Sequence, residues 1–246
     1  MTDRFDEWIR GLEREHFAEL TFQEVSRALR SLSTRYVERR TGRRRGAALD
    51  GSGTRAAFSV FYGPIHFLLV RHVVERLAGA RDVEGTLLDL GCGTGASGAA
   101  WASWCAKPVS LLGVDRNAWA VHAARRTYDA FGLSSRVARA DVADALDRTR
   151  GHVLAAWTLN ELEAADREPL MPRLIERGRS GKHVLVVEPL AKSIVPWRVR
   201  WTAVFGRAGG RADEWRWRVD LPAIVLKLDR AVGLDHREIT GRSLWL

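Results

Sequence analysis

The sequence predicts an α/β fold, a largely parallel sheet with a helical region ahead of it, and three observations carry the prediction. First, Thr86-Leu87-Leu88-Asp89-Leu90 is a short apolar run that leads into glycines at every second position, Gly91, Gly93 and Gly95. An alanine-rich stretch, Ala96 to Ala106, follows; the order reads strand, tight turn, helix. Second, Leu111 to Asp115 and Arg136 to Asp141 each read as a strand that ends in an acid. Third, strand-like and helix-like runs alternate as far as Glu188, the pattern of parallel strands joined by helical crossovers.

The glycine loop is the stretch around which the chain is organised. Its residues must bend sharply and let backbone approach a ligand, which a side chain would prevent. The following helix offers free N–H groups at its start. Open sheets bind ligands at the carboxyl ends of their strands, so this loop reads as a nucleotide-type cofactor site. Gly93-Thr94-Gly95-Ala96-Ser97-Gly98 fits the dinucleotide fingerprint G-x-G-x-x-G, so an NAD(P)-dependent oxidoreductase stays open as an alternative. Asp89 distinguishes the readings. A carboxylate two residues before Gly91 repels a pyrophosphate but suits an ammonium or sulfonium group. Cys92 fills a position in the loop.

Asp-x-Gly-x-Gly-x-Gly, from Asp89 to Gly95, resembles the first motif of the class I S-adenosylmethionine-dependent methyltransferases. Asp115, 20 positions after Gly95, agrees with it, as does Asp141. The resemblance implies a Rossmann-like sheet of parallel strands closed by an antiparallel pair, with S-adenosylmethionine as cofactor. It implies that Asp89, Gly91, Gly93 and Gly95 hold the methionine end, Asp115 the ribose and Asp141 the adenine. It also makes the end of the fourth strand, Trp157-Thr158-Leu159-Asn160-Glu161-Leu162, the substrate side. There Asn160 can orient a nucleophile or simply cap a helix. A looser resemblance, resting on the N-terminal helices, Tyr62/Pro64 and the 158–162 stretch with Arg167, is to the methyltransferase-like proteins of the small ribosomal subunit. The cysteine cluster of that family has no counterpart here.

The 246 residues suffice for one α/β domain plus an appendage. We expect an N-terminal helical region over 1–80 and an S-adenosylmethionine-binding domain over 81–246. Residues 3–20 and 21–40 carry apolar helical faces, and Thr21 with Glu24 makes a capping box. Gly63-Pro64 is expected to break the apolar segment Ala56 to Tyr62 and to start a new helix. Tyr62 and His66 lie where a segment could fold over a cofactor cleft, as a substrate contact and a base; Glu161 is the other candidate base. Packing against the sheet is the competing role for the aromatics.

Beyond Asp115 the reading gives a helix to about Phe131, strands near 136–140, 152–157 and 183–188, and a helix over 166–177. A Trp/Arg-rich insertion is expected at about 193–219. Its Trp197, Trp201 and Phe205 recur every fourth residue, as a core stripe or as a stacking surface beside arginines. Residues 236–246 read as one or two closing strands.

Net charge is +9, and five arginines stand at 39–45. These runs, with the arginines of 198–218, make RNA a candidate partner and keep open a non-catalytic RNA- or ribosome-binding module. Two cysteines, Cys92 and Cys105, and seven scattered histidines provide no metal-ligand spacing, so no metal is expected. No apolar run is read as a membrane span and no basic leader opens the chain, so a cytoplasmic protein is expected.

Overall fold

A computed structural model describes residues 2–39, 49–191, 195–236 and 238–246. The arginine run at 39–45 lies outside them except for Arg39, whose backbone ends a helix. The chain divides into two compact units. One is 1–66 with 217–239, and the other is 67–216 with 240–246.

The first unit is helical. It contains α1 (Thr2–His16), α2 (Phe22–Arg39), α3 (Ser52–Ala57), the start of α4 (Gly63–Val74) and α11 (Ala223–Ala231). The capping box forms as expected: Glu24 Oε2 accepts the Thr21 N–H at 2.8 Å, and Thr21 Oγ1 accepts the Glu24 N–H at 3.3 Å. The helix does not break at Gly63-Pro64. It widens through a π-turn, Phe58–Tyr62, in which the Gly63 N–H reaches back to the Phe58 carbonyl. Proline brings no N–H and its ring collides with the carbonyl four residues back, and a wider turn relieves both problems. Ser52–Val74 is thus one continuous helix, long and apolar enough by composition to cross a membrane, contrary to expectation. Of its most apolar window, 72% is buried inside the protein.

The second unit is built on a seven-stranded sheet in the order β3-β2-β1-β4-β5-β7-β6. Its strands are β1 (Thr86–Leu90), β2 (Ser110–Asp115), β3 (Ser135–Arg139), β4 (His152–Ala156), β5 (Val184–Glu188), β6 (Arg211–Trp217) and β7 (Ile239–Trp245). The first five are parallel, and β7 runs antiparallel to β5 with Leu185 opposite Trp245. Every residue of β4 and β5 is buried, as strands covered on both faces require. The helices are α5 (Ala96–Ala102), α6 (Ala118–Ala130), α7 (Val142–Arg148), α8 (Ala164–Arg167), α9 (Leu170–Arg179) and α10 (Arg198–Arg207). The expected 166–177 helix is therefore two helices.

Two expectations about organisation change. Residues 193–219 are no insertion, since α10 and β6 are regular elements and β6 is an edge of the sheet. Trp197, Trp201 and Phe205 are buried in the same core as Leu88, Val153 and Val186, so the stripe is core rather than a stacking surface. Residues 236–246 supply one closing strand, not two. The closing strands come from 211–217 and 239–245, with α11 between them in sequence. The units do not part at residue 80. Helix α4 runs through the boundary at 66/67, and residues 217–239 join the first unit because α11 packs on α2 and the π-turn.

Candidate cofactor and acceptor site

Strand order reverses between β1 and β4, so a crevice opens above their carboxyl ends. The glycine loop lies there. Gly91, Gly93 and Gly95 have φ of 64°, 52° and 79°. That left-handed region is what glycine tolerates and other residues resist. Space enforces the same choice at Gly91, where an added Cβ would fall 2.5 Å from Thr158 Cγ2. Thr158 cannot retreat, because it is buried and its Oγ1 donates to the Leu90 carbonyl at 2.7 Å.

Asp115 ends β2 beside this loop. Its Oδ2 accepts the Gly93 N–H at 3.0 Å, and its Oδ1 accepts the Asn117 N–H at 2.8 Å. An ionised carboxylate offers about four acceptor positions, so each oxygen keeps one for a hydroxyl. Asp141 caps α7, with Oδ1 accepting the Ala143 N–H at 2.8 Å. The Ala140 N–H donates to the Asp115 carbonyl at 3.2 Å, which brings these two strand ends together.

Asp89 lies elsewhere. It is 1% exposed, and its Oδ2 accepts the Tyr128 hydroxyl at 2.9 Å. Burial raises its pKa to about 7, opposed by the donors Tyr128 and Gly98. Its carboxylate is therefore tied to α6 through Tyr128 at the end of β1 that leads into the loop. Gly98, third glycine of the dinucleotide fingerprint, has a matching reason to be glycine: a Cβ there would fall on Asp89 Oδ2. The fingerprint needs no pyrophosphate to explain it.

The turn after β4 is tightly determined. Trp157 has φ 54°, the one non-glycine residue with positive φ among those described. Its N–H donates to the Val187 carbonyl at 2.7 Å. Residues Leu159–Glu161 form a 3-10 turn whose first two N–H groups, those of Leu159 and Asn160, donate to Glu188 Oε1 at 3.0 and 3.2 Å. In the amide orientation that satisfies its neighbours, Asn160 Nδ2 donates to the Trp157 carbonyl at 2.8 Å and to Glu188 Oε2 at 2.9 Å. Asn160 is thus no helix cap; Glu163 holds that position for α8. Glu161 is exposed.

Glu188 is the site residue that sequence reading missed. It is 1% exposed, and burial pushes its carboxyl well above the usual range while the two backbone donors pull it back. A glutamate closing an apolar strand was the available signal.

The remaining candidates, Tyr62 and His66, belong to the first unit, and the residues above to the second. Their rings lie 6.0 Å apart in a cluster with Phe58 and Phe61. Burial lowers the His66 pKa to about 3 and raises that of Tyr62 to about 12, so both are neutral at pH 7. Among the described residues no group of three or more His, Cys, Asp or Glu side chains could hold a metal ion.

The family model for the methyltransferase small domain matches residues 67–155, which span the strands β1 to β4 with the glycine loop, Asp115 and Asp141. That match, over part of the chain, agrees with the resemblance to the class I S-adenosylmethionine-dependent methyltransferases. The cofactor of this methyltransferase family is S-adenosylmethionine. No curated protein matches the chain. Among solved structures, an O-methyltransferase family protein from Burkholderia thailandensis is similar with a TM-score of 0.54 at 15% identity, over 80% of this chain and 60% of that one. A precorrin-6y C5,15-methyltransferase from Geobacter metallireducens gives 0.48 at 12%, over 82% and 92%. At such identities the likeness to the Burkholderia protein is one of fold. The methyltransferase sheet is the one observed here, with β7 between β5 and β6.

The residues present fit the cofactor. Positive-φ glycines leave the loop without side chains, Asp115 keeps acceptor capacity beside it, and the Asp89 carboxyl lies buried two residues before the loop's first glycine.

Proposed function

We propose that this methyltransferase places its acceptor over the turn Trp157–Glu161 and methylates a nitrogen or oxygen of a small molecule. The observation that carries the reading is the bond from the Gly93 N–H to Asp115 Oδ2, which ties the glycine loop to the acid at the end of β2. Loop and acid then serve one ligand: Gly91, Gly93 and Gly95 line its methionine end, Asp115 accepts from the two ribose hydroxyls, and Asp141 from the adenine amino group. Asp89 lends negative charge from below.

S-adenosylmethionine, when bound, supplies a methyl group already activated on a sulfonium. What the chain adds is alignment. The braced turn at Trp157–Asn160 orients the acceptor, and holding reactants in line is itself a large part of such a rate enhancement. Glu161, exposed on that turn, is the carboxylate best suited to take the acceptor's proton. A small molecule is favoured over RNA because Trp197 and Trp201 are core residues, and three arginines of the same segment already have partners within the chain. Arg198 donates to the Ser243 carbonyl, Arg200 pairs with Glu168 and Arg211 with Asp213.

The test is calorimetric titration with S-adenosylmethionine, with Asp115→Ala and an NAD titration alongside. Wild type binds, the variant loses at least roughly tenfold in affinity as expected for a lost charged hydrogen bond, and NAD does not bind. Absence of binding to folded wild type overturns the reading. A labelled-methyl screen over small-molecule and RNA pools then finds the acceptor; transfer to RNA alone overturns the small-molecule assignment.

A further inference from the structure

Three glycines of the second unit make way for one side chain. A Cβ at Gly95 would fall 2.8 Å from Tyr128 Cε1. One at Gly98 would lie 3.1 Å from the Tyr128 hydroxyl oxygen, and one at Gly113 2.7 Å from it. These glycines belong to the loop, to α5 and to β2. Tyr128, on α6, fills the space they leave and is fully buried.

Its ring alone would pack as well in a phenylalanine. The hydroxyl must then have its own reason, because burying a phenol without a partner is costly. It donates to Asp89 Oδ2 at 2.9 Å. The Gly98 N–H also donates to Asp89. Cys92 is anchored in turn, its N–H donating to the Val114 carbonyl at 2.9 Å and its carbonyl accepting the Gly95 N–H at 2.7 Å. Strand, loop, α5 and α6 therefore close around the Tyr128 side chain.

We propose that Tyr128 is a positioning residue for the cofactor: its hydroxyl fixes the Asp89 carboxylate under the glycine loop, and so shapes and charges the floor on which a cationic methionine end rests. The proposal rests on the cofactor reading above. The groups facing Asp89 are Tyr128 from α6, the Gly98 N–H from α5, Cys92 from the loop, and Asp115 from β2, whose charge opposes ionisation. Tyr128 and Gly98 favour the carboxylate as an anion; burial and Asp115 favour its protonated form. A buried anion acts strongly through its low-dielectric surroundings. Without the hydroxyl, Asp89 keeps its proton to higher pH, and affinity for a cation must follow.

The test titrates wild type, Tyr128→Phe and Asp89→Asn with S-adenosylmethionine from pH 6 to 9, with thermal unfolding of each as a check on folding. S-adenosylhomocysteine, which lacks the sulfonium charge, is the second titrant. The ligand's own amino group titrates alike against all three proteins, so differences between them report on the protein. Wild-type affinity for S-adenosylmethionine rises with pH relative to Asp89→Asn. Tyr128→Phe binds roughly tenfold more weakly at neutral pH, the scale of a hydrogen bond to a charged group, and the midpoint of its rise moves to higher pH. Its preference for S-adenosylmethionine over the homocysteine analogue falls. Unchanged affinity and midpoint in Tyr128→Phe overturn the proposal, as does a uniform loss at every pH, which is the mark of packing alone. If Tyr128→Phe does not fold, Asp89→Asn decides: a profile matching wild type refutes the proposal. Folded wild type that binds neither titrant refutes the cofactor reading itself.

Discussion

Glu188 Oε1 accepts the backbone N–H groups of both Leu159 and Asn160, joining the end of β5 to the turn that follows β4. One carboxylate thus sets the shape of the acceptor turn from the neighbouring strand. In Glu188→Leu both N–H groups lose their acceptor in a buried setting. We expect a loss of about 3 kcal/mol, since each orphaned buried donor costs about 1–3 kcal/mol. Glu188→Gln keeps an accepting oxygen and should lose about 1 kcal/mol, the scale of one ordinary hydrogen bond. Denaturant unfolding of the two variants separates them; equal losses would show that the bonds to Leu159 and Asn160 are not the cause.

Trp157 carries the backbone strain of that turn, with φ 54°. A non-glycine residue there costs about 1–3 kcal/mol, whereas glycine adopts it freely. Trp157→Ala and Trp157→Gly remove the same indole, but only the second relieves the strain. The glycine variant should be the more stable of the two by about 1 kcal/mol despite glycine's greater unfolded-state entropy. An alanine variant equal to or better than glycine in thermal unfolding would count against a strained turn.

Gly91 and Thr158 are a packed pair across the β1/β4 crevice. Gly91→Ala meets both a strained φ and a threonine that cannot yield. The variant should lose about 2 kcal/mol of stability, within the range for strained positive-φ backbone, and its affinity for S-adenosylmethionine should drop. Thr158→Ala removes the colliding Cγ2 and Oγ1. The double variant should therefore be less damaged than the two single losses added together. Strict additivity in a double-mutant cycle would place the effect in backbone strain alone.

Asp89 gives stability a pH dependence of known sign. Its folded pKa of about 7 stands above the ordinary 3.8. Between those values the folded protein holds a proton that the unfolded chain has released. This group's contribution to stability therefore falls as pH rises through that window and is level above about pH 7. At about 1.4 kcal/mol per unit, the full swing is on the order of 4 kcal/mol. Asp89→Asn removes the ionisation. Its stability relative to wild type should improve from pH 5 to pH 8; a difference that does not change with pH would refute the assignment of the raised pKa to Asp89.

Much of the site was readable in sequence because its signals are local. Alternating glycines after an apolar run, acids at the ends of Leu111–Asp115 and Arg136–Asp141, and Thr21 with Glu24 lie within windows of a few residues. Their backbone geometry follows from steric limits that neighbours alone impose. The family resemblance had the same basis. Tyr128 and Glu188 escaped notice because their partners are 39 and 29 residues distant, and nothing local marks a buried phenol or carboxylate as engaged.

The parallel α/β order, the position of the glycine loop and the acid beside it are written in local runs of residues. Tertiary structure alone decided that Trp197, Trp201 and Phe205 face the core, that residues 211–217 and 239–245 close the sheet, and that 217–239 belong with the N-terminal helices. It also decided that the Asp89 carboxylate is buried against the Tyr128 hydroxyl. The physical reason is the same in each case. Periodicity fixes which face of an element is apolar, but only packing settles what covers that face, and a polar group's role depends on which partner burial leaves within reach.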